Sequence, residues 1–264
     1  MMKKEVEEKV EEKEVKEVKK VEVVEKSVEK EVNLTLSVAA LLENGVHFGH
    51  KKSIRNPKMD PYIFGVRRGV NIIDLEKTLE KFQEALAFVE QLIEKDGKII
   101  LVGTKKQAKI LINEVAQKTG MAYVNERWIG GTFTNFKVIL KRLKYLKEQK
   151  EAIKEDKLSH LTKFEKSRLS KEIKNMEIRM GGLLEMSRLP EAIFVLDIEK
   201  DLTAVKEARK QGIKVIALVD TNNNPDNLDY FIPANNDALS ALGYILGILT
   251  QRIQKAQKKN ISRK

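Results

Sequence analysis

Residues 98–124 read KIILVGTKKQAKILINEVAQKTGMAYV, and this stretch decides the fold class. The run from Lys98 to Val102 is almost entirely apolar and ends at Gly103, which is typical of a strand buried on both faces. The residues after it predict a helix that ends near Thr119, and Ala122–Val124 predicts a short second strand. Because strand, helix and strand follow one another so closely, the stretch indicates one unit of a parallel sheet.

The same alternation returns in the last part of the chain. Strands are predicted at Ala192–Leu196, Lys214–Val219 and Phe231–Ile232, and helices at Leu202–Lys210 and Asp237–Ala256. Strands that are apolar throughout and alternate with helices indicate a sheet that is covered on both faces. The sequence therefore predicts an α/β fold with a doubly wound, mainly parallel sheet of the Rossmann or flavodoxin type.

Further elements are predicted before this core. A short helix is expected over Ser37–Asn44, and apolar strands are expected over Tyr62–Val66 and Val70–Ile73. Asp74 has the side chain to cap a long helix after them, because apolar residues recur there at helical spacing. These residues are Leu75, Leu79, Phe82, Leu86, Val89 and Ile93.

A long segment interrupts the sheet pattern. Residues 133–180 contain no proline or glycine, and their apolar residues form two sets at helical spacing. We interpret them as two long helices folded back into an inserted antiparallel coiled-coil hairpin that turns near residues 156–159. Each arm would project about 30 Å. The segment holds fourteen Lys and Arg against seven Asp and Glu, a net charge of +7. This excess of positive charge on its outer faces predicts an anionic partner.

The two ends of the chain differ from the sheet domain, which we assign to residues 33–132 and 181–251. Residues 1–32 hold eleven Glu, nine Lys and nine Val, with a net charge of −2. This composition predicts a mobile or conditionally helical extension, and a helix that binds a partner is the alternative. Residues 252–264 carry six cations and no acid, which predicts a frayed basic tail.

The composition narrows the class of function. The 264 residues carry a formal charge of +11 with a pI near 9.5, which favours nucleic acid or another anionic partner. The chain has no cysteine, and this excludes disulfides, thiolate metal ligands and cysteine nucleophiles. No secretory signal is visible, and no apolar run reaches the roughly 20 residues that cross a bilayer. We therefore expect a soluble protein of the cytoplasm.

Residues 46–78 carry a dense group of positive charges among glycines and prolines, and they read VHFGHKKSIRNPKMDPYIFGVRRGVNIIDLEKT. The turn-rich backbone keeps these cations off a single helix, so we expect an ordered irregular loop that can follow folded RNA. A surface loop that is basic but merely solvated is the alternative. The RNA-binding residues predicted here are Lys51, Lys52, Arg55, Asn56, Lys58, Arg67 and Arg68.

A second phosphate contact is predicted after the first strand of the parallel sheet. Lys105 and Lys106 follow Gly103-Thr104 at the start of a helix, where backbone N–H groups and the helix dipole suit a phosphate. An ordinary strand–helix turn with two surface lysines is the alternative. The GxxxxGK[ST] and GxGxxG patterns are absent, so a free nucleotide site is not predicted.

The junction before the helical segment supplies a third set of predicted contacts. Arg127 precedes the sole tryptophan, Trp128, and can make a fixed bidentate contact with a phosphate. The indole ring fills the junction between domains or stacks on a base, and we favour packing. Lys137 and Lys141 on the first long helix complete the predicted RNA-binding set.

The sequence offers little for catalysis. His47 and His50 are three residues apart, a spacing that can place two metal-binding imidazoles on one side of a helical turn. Asp197 and Asp220 each end a predicted strand, where ligand sites of open α/β sheets lie. His47, Asp197 and Asp220 are therefore candidate cation ligands, against the alternative that the histidines pack or hydrogen-bond at an RNA-facing surface. No Ser/His/Asp order, nucleophile elbow or acidic metal cluster supports a reaction. We predict no catalytic residue and no cofactor.

Three motifs in this order resemble the family of the second protein of the bacterial small ribosomal subunit. The first is GVHFGH at residues 45–50 with NPKM at 56–59, and the second is RWIGGTFTNF at 127–136. The third is PEAIFVLD at 190–197 with Asp220-Thr221-Asn222 behind it. The resemblance extends from about Thr35 to Gln254, whereas the N-terminal extension lies outside it.

This resemblance implies a Rossmann-like domain with an inserted helical hairpin and no enzymatic activity. It implies a structural constituent of the small ribosomal subunit, on the outer side between head and body, that contacts small-subunit ribosomal RNA and neighbouring ribosomal proteins and supports subunit assembly and translation. Some similar proteins also help to recruit the messenger-binding first protein of the subunit. The residues alone leave open an enzyme or nucleotide-binding regulator with basic appendages, and stabilisation by a nucleotide would discriminate the two classes.

Overall fold

A small antiparallel sheet opens the part of the chain that the computed structural model describes, residues 35–155 and 162–263. Helix α1 (Val38–Glu43) precedes strand β1 (Phe48–Lys51), two 3₁₀ turns (Lys52–Ile54 and Pro57–Tyr62), β2 (Ile63–Arg67) and β3 (Val70–Ile73). The strands lie in the order β1-β3-β2. The predicted helix and both predicted strands of this region are confirmed within one or two residues.

Helix α2 (Leu75–Glu94) follows this sheet and begins where the sequence predicts. The Asp74 carboxylate accepts a hydrogen bond from the Glu76 N–H at 3.1 Å and caps the helix. The predicted apolar face is buried except for Leu79, which is half-buried. Thr78 is buried as well. Its hydroxyl donates a hydrogen bond to the Pro233 carbonyl at 2.7 Å, so the buried hydroxyl has a partner.

The larger sheet is parallel throughout and contains five strands. These are β4 (Ile99–Val102), β5 (Ala122–Val124), β6 (Ala192–Val195), β7 (Lys214–Val219) and β8 (Tyr230–Pro233), in the order β5-β4-β6-β7-β8. Taken in chain order this is 2-1-3-4-5, the order of doubly wound flavodoxin-like sheets. The predicted mixed α/β fold with a parallel sheet is confirmed.

The helices cover both faces of this sheet. Helix α3 (Lys106–Thr119) connects β4 to β5, and α6 (Leu202–Lys210) connects β6 to β7. One core cluster joins alternate residues of the strands, among them Ile100 and Ile193, to the apolar side of α6. Since side chains alternate along a strand, the remaining strand residues face the other side, where α2 and α3 pack.

Two long helices lie between β5 and β6, as predicted from the interruption of the sheet pattern. They are α4 (Phe136–Lys154) and α5 (Lys163–Met180), and they contact one another. Lys150 of α4 bonds to Glu177 of α5 at 2.6 Å, and apolar residues of both helices are buried. The predicted turn near residues 156–159 lies outside the described residues, as does the extension over residues 1–32. The coiled-coil geometry stays a prediction.

The last helix differs from its prediction. Helix α7 (Leu239–Arg263) continues to Arg263, so the frayed tail predicted over residues 252–264 is wrong for the described part of it. The side chains of Gln257 and Asn260 donate to the Thr119 and Ile93 carbonyls at 2.7 and 3.2 Å, at the ends of α3 and α2. These bonds hold the basic end of the helix against its neighbours.

Among the described residues, none of the helices combines the length and the apolar character that a bilayer span requires.

Candidate nucleic-acid interface

The basic loop is anchored to the five-stranded sheet through Thr221, which follows β7. The Thr221 hydroxyl accepts a hydrogen bond from the His50 backbone N–H at 2.9 Å, and its carbonyl accepts one from the Asn56 N–H at 2.8 Å. A Cβ atom at Gly49 would lie 2.5 Å from the Thr221 methyl carbon. Only glycine allows this approach, and the anchoring makes the loop a fixed surface, as the sequence predicts.

Four exposed basic residues gather at one end of the three-stranded sheet, and we name them the cation cluster: Lys51, Lys52, Arg67 and Arg68. Lys51 and Arg67 flank Val70 of the central strand from either side. The Lys52 N–H donates to the Gly69 carbonyl at 3.0 Å. This bond joins the segment of Lys51 and Lys52 to the turn that carries Arg67 and Arg68. Among the described residues, no acid forms an ion pair with these four side chains.

The turn between β2 and β3 presents two of these cations in a strained backbone. Arg68 has φ 52° and Gly69 has φ 78°, both in the left-handed region. This conformation suits a two-residue hairpin turn, but it costs a residue other than glycine about 1–2 kcal/mol. Arg68 is exposed, so packing does not explain the choice of arginine there. Among the described residues, no acid pairs with Arg68 either, so neither burial nor an ion pair accounts for a cation in this turn.

Three further predicted residues of this loop have internal partners. The Arg55 guanidinium lies 2.7 Å from the Asp60 carboxylate, and Lys58 lies 2.9 Å from Asp226. The Asn56 side chain accepts a hydrogen bond from the Lys58 N–H at 3.0 Å and caps the second 3₁₀ turn. Both ion pairs are partly exposed and leave the cations within reach of solvent, but their charge is already compensated.

Lys105 is held by acceptors of the chain itself, which argues against its predicted contact with a phosphate. Its side chain is only 12% exposed and lies 2.6 Å from Asp237 and 3.3 Å from Asp197. The ammonium group also donates to the Asn236 carbonyl at 3.1 Å and to its side-chain oxygen at 3.0 Å. Because four oxygens of the chain surround this ammonium group, it serves the structure of the sheet edge.

The other four predicted cations remain available. Lys106 is exposed on the first turn of α3, Arg127 is exposed beside the buried indole, and Lys137 and Lys141 are exposed on α4. Lys137 and Lys141 are four residues apart, so they lie on one face of that helix. Among the described residues, no acid pairs with any of the four.

Trp128 packs rather than presenting its ring to solvent. The indole is 7% exposed and meets the Phe133 ring edge to face, with 4.9 Å between the ring centroids. It belongs to the core cluster that also contains Ile139 and Leu143 of α4. The packing interpretation of this residue is therefore confirmed, and the ring joins the sheet to the first long helix.

The structure rearranges the predicted group of cation ligands. His50 Nδ1 lies 2.9 Å from Asp220, and its Nε2 lies 3.3 Å from Asp237. The ligand atoms of these three residues lie within 4.8 Å of one another. His47 instead lies against Phe48, with ring centroids 4.0 Å apart, and Asp197 contacts Lys105. Two of the three candidates, His47 and Asp197, are thus outside the group that the fold forms.

The pKa values of the two histidines shift in opposite directions for this reason. The hydrogen bond to the Asp220 carboxylate raises the pKa of His50, although burial and the nearby Lys105 oppose it. Burial lowers the pKa of His47, which lacks such a partner. A protonated His50 satisfies both carboxylates by itself, whereas a metal ion would need the neutral imidazole.

A buried carboxyl group completes this edge of the sheet. Asp201 is 1% exposed and accepts a hydrogen bond from the Thr104 N–H at 3.3 Å. Burial raises the pKa of Asp201 to about 6, and the hydrogen bonds from Thr104 only partly offset this effect. No pattern in the sequence marks this residue, because aspartate at the start of a helix is common.

A cleft of about 730 Å³ lies beside the same edge, and the sequence did not predict it. Lys206 and Arg209 of α6 line it on one side, three residues apart on the same helix, and Asn222 and Asn223 line it on the other. Both cations are exposed. In the sequence, only the three-residue spacing of Lys206 and Arg209 on a predicted helix indicates that both lie on one face of it.

Two comparisons place the chain among known proteins. A family model described as Ribosomal protein S2 matches residues 41–256. The small ribosomal subunit protein uS2 of Francisella tularensis subsp. tularensis (strain FSC 198) is 43% identical over 217 residues, which cover 82% of this chain and 91% of that relative. The matched residues include both sheets, the cation cluster and the two long helices.

Proposed function

The chain belongs to the ribosomal protein S2 family, and we propose that it binds small-subunit ribosomal RNA by shape and charge. The family is structural and non-enzymatic, so the chain is a structural protein of the small ribosomal subunit and takes part in translation. This excludes the alternative of an enzyme. Support of subunit assembly is part of the proposal.

The cation cluster is the single observation that carries RNA binding. Lys51, Lys52, Arg67 and Arg68 are exposed and lack acidic partners among the described residues. The strand register fixes the backbone at Lys51 and Arg67, and the bond from the Lys52 N–H to the Gly69 carbonyl joins the two segments. A group of uncompensated cations on a fixed backbone releases counterions when it meets phosphates, and its backbone loses little freedom in doing so. The +11 charge of the chain adds long-range attraction.

The two long helices supply a second contact in this proposal. We infer that α4 and α5 form an antiparallel coiled-coil hairpin whose exposed cations, Lys137 and Lys141 among them, lie along the RNA. Arg127 and Lys106 add contacts nearer the sheet. The same surfaces would adjoin neighbouring ribosomal proteins, with the messenger-binding first protein of the subunit as a further partner.

The test compares the full chain with a variant in which the cation cluster is neutralised by Lys51→Gln, Lys52→Gln, Arg67→Gln and Arg68→Gln. Removing one cation from a phosphate should reduce the slope of log affinity against log salt by roughly 0.7–0.9, so the slope should fall by about 3 units in this fourfold variant. Affinity for small-subunit RNA should drop at least roughly tenfold at moderate salt.

The melting temperature of this variant should stay near that of the wild type, because the four side chains are exposed and pair with no acid among the described residues. Sedimentation through a sucrose gradient checks incorporation into small-subunit particles. A variant that binds RNA with an unchanged salt slope and travels with the particles as the wild type does would exclude the cation cluster as the RNA-binding surface.

A further inference from the structure

Helix α4 starts without a cap of its own. Its N-cap residue, Asn135, makes no side-chain capping bond, and its first turn contains no acidic residue. Helices normally satisfy their first N–H groups and the positive end of their dipole with such residues. The segment just before α4 is also buried in part, with Thr132 and Phe133 about 1% exposed. The N–H groups of this partly buried segment, which precede those of the helix itself, therefore need an acceptor from elsewhere in the chain.

Glu207, in the middle of α6, supplies that acceptor. Its Oε1 accepts hydrogen bonds from the Gly131 N–H at 2.7 Å and from the Trp128 indole N–H at 3.4 Å. Its Oε2 accepts from the Phe133 N–H at 2.9 Å, and from the N–H and hydroxyl of Thr134 at 3.3 and 3.4 Å. One carboxylate thus binds four residues of the segment between residues 128 and 134.

The negative charge of this carboxylate is balanced by neutral donors. Glu207 is 7% exposed, and among the described residues no lysine, arginine or histidine pairs with it. Burial alone would raise the pKa of Glu207, but the hydrogen bonds from Gly131, Phe133, Thr134 and Trp128 outweigh it and lower the pKa. Converging backbone N–H groups of this kind form an anion-binding nest.

The shape of the nest depends on Gly131. This residue has φ 90°, a conformation that side-chain-bearing residues rarely adopt. It turns its N–H toward Glu207 while its carbonyl accepts the Asn135 N–H at 2.8 Å. The turn therefore connects the carboxylate directly to Asn135, the N-cap residue of α4.

We propose that Glu207 is a positioning residue whose carboxylate locks segment 128–134 and so fixes the direction in which α4 leaves the sheet. Arg127 immediately precedes the locked segment, and Lys137 and Lys141 lie in the first two turns of the helix that it starts. The orientation of these three cations therefore depends on a residue that is itself buried. Their use in RNA binding rests on the proposed function, whereas the lock itself does not.

Glu207→Gln is the direct test, because it keeps the shape of the side chain and replaces one acceptor oxygen with a donor. Trp128 is the sole tryptophan, so its fluorescence reports on this site alone. The variant should shift the emission to the red at neutral pH and lower the melting temperature by roughly 5–10 °C. Glu84→Gln, at an exposed acid beside Lys81, is the matched control and should leave both unchanged.

Acid titration is a second test of the hydrogen bonds that the Glu207 carboxylate accepts. In the wild type the Trp128 emission should hold until the pH falls below the ordinary glutamate value of 4.5, because the folded pKa is lowered. The Glu84→Gln protein should follow the wild-type curve. The Glu207→Gln protein should show no such step, since nothing remains there to protonate.

The orientation of α4 is measured by distances between two spin labels. The chain has no cysteine, so Gln117→Cys on α3 and Glu148→Cys on α4, both exposed, give unique attachment points. We expect a narrow distance distribution in the otherwise wild-type chain and a broad one with Glu207→Gln. Gly131→Ala should broaden it as well while leaving the carboxylate in place, which covers the case of poor folding by the first variant.

The outcomes separate the lock from the RNA role. Unchanged fluorescence and an unchanged distance distribution in Glu207→Gln would overturn the proposal. A broadened distribution with at least severalfold weaker RNA binding by the folded protein supports both inferences. A broadened distribution with unchanged RNA binding supports the lock and instead removes Arg127, Lys137 and Lys141 from the proposed RNA interface.

Discussion

Lys51-Lys52 and Lys105-Lys106 are the same dipeptide near the end of a strand, yet Lys105 has surroundings opposite to those of Lys51 and Lys52. Lys51 and Lys52 are exposed and have no acidic partner among the described residues. Lys105 is 12% exposed and lies between Asp197 and Asp237. The difference shows that the same dipeptide can carry charge that the chain neutralises or charge that it leaves uncompensated, and under the proposed function the uncompensated charge binds RNA.

The largest effect is expected from Lys105→Met, which keeps the length of the side chain and removes its charge. Asp197 and Asp237 then lose the cation between them, and the protein should lose about 3–5 kcal/mol of unfolding free energy. Chemical denaturation of the full chain measures this loss. The adjacent exposed Lys106→Met is the control, with a change below about 0.5 kcal/mol. Equal stability of the two variants would show that Lys105 is not structural.

A stabilising change is expected at the same edge from Asp201→Asn. The pKa of Asp201 is raised from 3.8 to about 6, so its contribution to stability is complete below pH 3.8 and is lost as the pH rises through 6. Asparagine keeps an acceptor for the Thr104 N–H and carries no charge. It should add roughly 1–2 kcal/mol of unfolding free energy at pH 8 and almost none near pH 4.

Unfolding curves at several pH values measure this difference. Asp226→Asn is a suitable control, because that carboxylate is exposed and paired with Lys58. It should give no gain at pH 8. If Asp201→Asn gave the same change at pH 4 and pH 8, the charge of Asp201 would not be the cause.

The smallest effect is expected from Arg55→Gln combined with Lys58→Gln. These cations lie in the same loop as the cation cluster but already pair with Asp60 and Asp226 on the surface. Stability should change by less than about 1 kcal/mol. The salt slope of RNA binding should fall clearly less than in the fourfold variant of the cation cluster. An equal fall would mean that internal pairing does not decide which cations bind RNA.

The secondary structure was largely predictable because its signals are local. The run from Ile99 to Val102 is apolar on both faces, and Leu202–Lys210 and Lys214–Val219 were predicted to the residue. The cap at Asp74 needs only a carboxylate followed by a helical pattern. Helix α7 runs past its predicted end because bonds from Gln257 and Asn260 to other helices hold its last turns.

The candidate site was predictable only as a set of basic residues. The partners that separate Lys105 from Lys106 are Asp197 and Asp237, which come from distant parts of the chain. His47 and His50 looked alike in sequence, but Thr221 positions only His50 toward Asp220. Glu207 had no recognisable motif, since its donors begin 73 residues away.

The order of apolar and polar residues by itself determined the alternation of strands and helices, because a buried strand or helix face requires apolar residues at the spacing of that element. It also determined the excess of positive charge. The tertiary structure decided which of those charges are neutralised inside the molecule and which face outward. The physical reason is that Coulomb and hydrogen-bond energies depend on distance and burial, which the parallel sheet sets by bringing separate loops to one edge.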